Sequence, residues 1–161
     1  MTKTKTRIYL YSLLVISVLV QIVFMRNLNW FPDIILLMVV FTGIFLGPSQ
    51  GAVFGSIAGL LRGTFSHGTV VADIFLFSLL GLLASILTRK FYRQNPIFQI
   101  VVTFVASILV IAAHTLYLNY ISENDLTVSF VVLSSKVHLA VTVLISPFIF
   151  ILLKRILRVG E

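Results

Sequence analysis

Polar chemistry in this chain is confined to a few side chains within or beside long apolar stretches. Asp33 follows Pro32 directly before an aliphatic run, so its carboxylate is placed to cap a helix by accepting otherwise unpaired N–H groups. Arg62 and Asp73 stand near the facing ends of two consecutive apolar segments, a placement that suits an ion pair. A structural pair is the simpler reading and a functional polar site the sharper one. His114 and Tyr117 are three residues apart and share a helical face, which suits an interhelical hydrogen bond better than a proton relay. Lys136 and His138 fit an interfacial or snorkelling position.

None of these groups forms a recognisable catalytic constellation. The chain has no His-Glu-x-x-His, no Gly-x-Ser-x-Gly, no phosphate-binding glycine loop and no Cys/His metal spacing. It has no cysteine, which removes disulfides and thiol catalysis. The expectation is a protein that is not an enzyme and carries neither a metal nor a cofactor.

The most specific local pattern is structural. Gly51, Gly55, Gly59 and Gly63 recur every four residues in Gly51-Ala52-Val53-Phe54-Gly55-Ser56-Ile57-Ala58-Gly59-Leu60-Leu61-Arg62-Gly63. At about 100° per residue, successive glycines drift by only about 40°, so Gly51, Gly55 and Gly59 share a smooth helical face. Lipid tails give helices no hydrophobic reason to associate, so close backbone approach over small residues supplies the packing. The face reads first as a packing seam within the fold. A docking face for another protein's helix is the second reading, and a glycine-lined cavity wall the third.

These residues sit in a chain built for a bilayer. Fifty-nine per cent of it is hydrophobic and only 11% charged, about half the charged fraction of an ordinary soluble domain. Mean hydropathy is +1.11. The formal charge of +7 does not point to nucleic acid, because nine of the twelve Lys and Arg residues fall into three clusters beside apolar stretches. Lys3, Lys5 and Arg7 precede the first stretch, Arg89, Lys90 and Arg93 follow the fourth, and Lys154, Arg155 and Arg158 follow the sixth. Cytoplasmic loops retain Lys and Arg, so all three clusters are assigned to the inner side, along with both chain ends. There they also meet membrane lipid headgroups.

The pattern predicts an all-α, polytopic integral membrane bundle of about six transmembrane segments, with residues 1–161 as a single integral membrane domain. Ile8 to Met25 is longer than a signal-peptide core and reads as a retained anchor. Trp30, and later Phe130, suit interface anchors, as does Asp33. Ile34 to Leu46 is short, at about 20 Å of helix against a hydrocarbon core of about 30 Å. Gly47-Pro48-Ser49-Gln50 breaks it, and a glycine-rich helix runs to about Leu61. Those two segments are either a pair of short spans or a hairpin that dips in and returns. Val70 to Thr88 and Pro96 to about Tyr117 make the next two spans. The last is expected to start near Ser134 or Ser135, with Leu126 to Leu133 as an interfacial segment and Pro147 as a kink.

Trp30-Phe31-Pro32-Asp33-Ile34-Ile35-Leu36-Leu37, the glycine ladder, and Thr64 to Asp73 leading into an apolar helix through Gly81 resemble the bacterial rod-shape-determining MreD family. Family members commonly carry an acidic residue at the end of the glycine helix; here that neighbourhood is Arg62-Gly63, with Asp73 the nearest carboxylate. The resemblance implies a fold similar to the substrate-binding components of energy-coupling-factor transporters. It implies a non-enzymatic scaffold of the cell-elongation machinery in the bacterial inner membrane. The partner it implies is MreC-like, a single-span protein. Through that partner come a RodA-type glycosyltransferase, a class B penicillin-binding transpeptidase and MreB, in support of peptidoglycan synthesis. The alternative is a vitamin-type transport subunit. Such subunits commonly dock through Ala-x3-Ala patterns on the first helix, and Ile8 to Met25 contains no alanine.

Overall fold

The computed structural model describes residues 3–25, 31–65, 70–90, 95–121 and 125–157. These form six helices: α1 (Lys3–Met25), α2 (Ile34–Leu46), α3 (Pro48–Phe65), α4 (Val70–Lys90), α5 (Pro96–Ile121) and α6 (Asp125–Leu157). Three segments, Val70–Thr88, Pro96–Tyr117 and Val137–Leu157, are long and apolar enough to cross a membrane, while Ile8–Gln21 and Ile34–Leu46 are apolar but shorter. Large apolar side chains face outward all around the bundle, with Phe75, Leu144 and Phe148 each about three-quarters exposed. A water-soluble fold does not carry such a surface; hydrocarbon is the solvent that suits it.

Helix α2 explains its own shortness. It is apolar on every side, and the ten consecutive residues from Ile35 to Ile44 are buried. The other five helices all touch it. A helix apolar all round belongs in a core, and one enclosed by protein need not match the bilayer thickness by itself. Phe41, at the centre, packs on Phe45 one turn along and on Phe150 of α6, with ring centroids 4.7 and 5.8 Å apart.

Gly47 ends α2 with φ 99° and ψ 175°. That backbone conformation is nearly closed to residues with a Cβ. Pro48 then opens α3, where its missing N–H costs nothing and its fixed φ already suits a helix. The chain thus reverses in one residue and lays α3 beside α2.

The glycine ladder is the seam between α3 and α4. A Cβ placed on Gly51, Gly55, Gly59 or Gly63 would strike the backbone of Gly81, Phe77, Asp73 or Val70 respectively. Each step of four forward on α3 is a step of four back on α4, except the last, which is three, so the two helices run antiparallel in close register. Gly81 completes the contact from the other side, since a Cβ there would meet the Gly51 carbonyl, and one on Gly43 of α2 would meet the Gly81 carbonyl. Three backbones therefore meet at Gly43, Gly51 and Gly81. The smooth face is covered by the protein's own α4, which leaves no room there for a partner's helix.

Two boundaries differ from the sequence expectation. Helix α3 continues past Leu61 to Phe65, which carries Arg62 and Gly63 on the helix. Helix α6 begins at Asp125 rather than near Ser134 or Ser135 and runs 33 residues, with Pro147 inside it. No Gly or Pro lies between Asp125 and Ser146 to interrupt the run.

Candidate functional site

Each of the six helices brings a polar group to the same end of the bundle. This end is formed by the C-terminal portions of α1, α3 and α5 and the N-terminal portions of α2, α4 and α6. Asp33, the N-cap of α2, is its centre. Its Oδ1 accepts from the Leu36 N–H at 3.0 Å and from Gln21 Nε2 of α1 at 3.2 Å. Its Oδ2 accepts from Arg62 Nη1 of α3 at 2.5 Å. Its own N–H donates to Thr142 Oγ1 of α6 at 3.0 Å, and that hydroxyl donates to the His138 carbonyl at 2.7 Å. Gln21 serves α2 twice, since its Oε1 also accepts from the Ile35 N–H at 3.3 Å.

The charges are held by burial and by one another. The Arg62 and Asp33 side chains are only 16% and 11% exposed, so their pairing is little screened by solvent. The Arg62 guanidinium carbon also lies 5.0 Å from the centroid of the buried Phe77 ring, a cation–π placement. At the same end, His114 Nε2 of α5 lies 3.5 Å from Oδ1 of the buried Asp73 on α4, a contact at the limit of hydrogen-bonding distance rather than a formed bond.

The depth of the cluster is set by helix length. From Asp33 to Leu46, and from Pro48 to Arg62, each helix rises about 20 Å. The opposite end carries the basic residues of α1, α4 and α6, and there Lys154 Nζ sits 4.7 Å from the Phe45 ring centroid. A hydrocarbon core of about 30 Å measured from that end would still enclose the cluster. Mutual pairing is what makes charges tolerable at that depth.

The structure rearranges the expected site residues. Arg62 pairs with Asp33, because α2 and α3 form a tight hairpin that returns Arg62 beside the cap of α2. Asp73 lies 3.5 Å from His114. Gly51, Gly55, Gly59 and Gly63 lie in the α3/α4 seam. Trp30 lies outside the described residues, and of Phe130 only its place on α6 is described. Gln21 and Thr142 were not expected. The one signal for Gln21 is that it is the only amide in an otherwise apolar stretch. Among the described residues no group of three or more His, Cys, Asp or Glu side chains could hold a metal ion.

The sequence model of one family, described as rod shape-determining protein MreD, matches residues 1–156. The chain belongs to the MreD family. Rod-shape determination is the role that goes with an MreD protein, and the apolar helices and the family together make this one a membrane protein. No curated protein and no solved structure matches the chain. The similarity to energy-coupling-factor components therefore has no structural match behind it, and the fold stands as an all-helical bundle of six described helices. The hydrogen bonds and ion pair of the cluster tie α1, α2, α3 and α6 together. Its chemistry is that of a structural clamp.

Proposed function

We propose that this MreD protein is a non-enzymatic scaffold of the cell-elongation machinery in the bacterial inner membrane. On this reading the basic end faces the cytoplasm, as the retention of Lys and Arg there requires. The scaffold receives a single-span, MreC-like partner by helix packing within the bilayer. Through that partner it supports peptidoglycan synthesis by a RodA-type glycosyltransferase and a class B penicillin-binding transpeptidase, in register with MreB.

The observation that carries the proposal is the family match over residues 1–156, on a bundle whose outer surface is apolar side chains. Polar groups are turned inward and used on one another, so helix faces are what the molecule can offer a partner. Because α4 fills the glycine face, docking belongs on the outward faces instead. The same inward pairing disfavours the transport alternative, since Asp33, Arg62, Gln21 and Thr142 satisfy each other rather than converge on a substrate.

A mild-detergent pull-down of the tagged protein from its native membrane tests this. Recovery of a single-span coiled-coil protein, with or without wall-synthesis enzymes, supports the scaffold. Recovery of paired ATPases with a transmembrane coupling subunit overturns it.

A further inference from the structure

Helix α4 is held tightly on one side and loosely on the other. On the α3 side, an added Cβ on Gly51, Gly55, Gly59 or Gly63 would strike the α4 backbone. On the α5 side the two helices hardly touch, and α5 packs chiefly on α6. Along that boundary Leu80, Ala84 and Leu87 of α4 stand with Val102, Ala106 and Leu109 of α5 around a gap of about 30 Å³. The lining is entirely aliphatic, and Ala84 and Ala106 are both buried. Small residues in hydrocarbon are what allow two helices to come closer.

The same boundary is unfinished in a second way. Toward the polar end, Asp73 lies seven residues beyond the gap on α4, and His114 five residues beyond it on α5. His114 Nε2 stands 3.5 Å from Asp73 Oδ1, is enclosed, and has no hydrogen-bond partner among the described residues. A buried polar atom left unpaired is destabilising, and a formed bond would need a separation of about 2.9 Å. One movement repairs both defects. If α5 shifts toward α4, the gap closes and the imidazole, carrying its proton on Nε2, reaches the carboxylate.

We propose that the α4/α5 boundary is a two-state joint. In the open state, that of the present structure, the gap and the long His114–Asp73 contact coexist. In the closed state α5 lies against α4 across Ala84 and Ala106, and His114 Nε2 donates to Asp73 Oδ1. The glycine seam keeps α3 and α4 one rigid body, so α5 is the side that moves. The bond from the Asp33 N–H to Thr142 of α6 keeps the movement small. A hydrogen bond to a charged acceptor favours the closed state by about ten-fold or more. The joint thereby sets the shape of the outward face between α4 and α5, and a molecule that fits one shape better shifts the balance toward it.

The chain has no cysteine, so the variant L83C/V105C carries thiols only at two residues lining the gap. Disulfide geometry demands close approach, so the rate of oxidant-driven bond formation in the full chain, reconstituted in bilayers, reports closure. The expected result is that H114A slows this reaction about ten-fold. H114Q, which offers an amide N–H near the position of Nε2, restores most of the rate. The melting temperature of each variant is measured alongside, and H114Q against H114A decides the matter even if H114A is destabilised. Equal rates for the parent pair and H114A overturn the proposal. So does an H114Q rate as slow as that of H114A, or a parent pair that never forms the disulfide.

Discussion

Arg62 and Asp33, on facing helices of the hairpin that turns at Gly47, meet at 2.5 Å and close one end of the bundle. The pair is mostly buried and joined to α1 and α6 through Gln21 and Thr142, so its value lies in how costly it is to break. Replacing Arg62 with Met leaves the Asp33 carboxylate enclosed without its counter-charge, which costs about 3 kcal/mol. Adding D33N removes the orphaned charge while the amide oxygen still caps Leu36. Unfolding in detergent should therefore show R62M as the less stable protein and D33N/R62M as partly recovered. A double variant at least as unstable as R62M would mean that the two residues do not act as a pair.

The two kinds of glycine should respond differently to size. At Gly55 an added Cβ strikes the Phe77 carbonyl, so α3 and α4 must separate. G55A should cost about 1–3 kcal/mol, the usual range for overpacking, and G55L should abolish folding or partner retention. At Gly47 nothing lies within 4 Å of the added atom, but φ is +99°. The cost of G47A is then backbone strain of about 1–3 kcal/mol, and a larger side chain there adds little. A stability series of Ala, Ser and Leu at both positions separates clash from strain. Equal size dependence at the two sites would refute the distinction.

Spacing alone made the cap and the seam legible, because both are local. Pro32-Asp33 before an aliphatic run specifies an N-cap, and four glycines at intervals of four specify a close-packed helix face. Which face covers the seam, and which acid Arg62 meets, depend on how helices are laid side by side. The hairpin geometry did contain the answer for Arg62. Asp33 stands fourteen residues before Gly47 and Arg62 fifteen after it, so a tight reversal at Gly47 places them level. Proximity in sequence to the next helix favoured Asp73 instead. The start of α6 was misplaced for a related reason. Lys136 and His138 read as the edge of a span, whereas the helix carries the His138 carbonyl to the polar cluster, where it accepts from Thr142.

The absence of cysteine from the chain makes its topology directly testable. Ser49, in the first turn of α3, is exposed at the α2/α3 reversal. That reversal lies at the basic end, because Phe45, the penultimate residue of α2, sits under Lys154. If α2 and α3 each cross the bilayer, a single cysteine in S49C lies at the same membrane face as one introduced at Arg155, and opposite to one at Asn119. A membrane-impermeant maleimide applied to intact cells should then label N119C alone. Applied to inside-out vesicles, it should label S49C and R155C. If α2 and α3 instead dip in and return, S49C resists the reagent from both sides while the other two positions keep their pattern. Labelling of S49C in intact cells would reverse the hairpin and contradict the placement of all the basic clusters on one side.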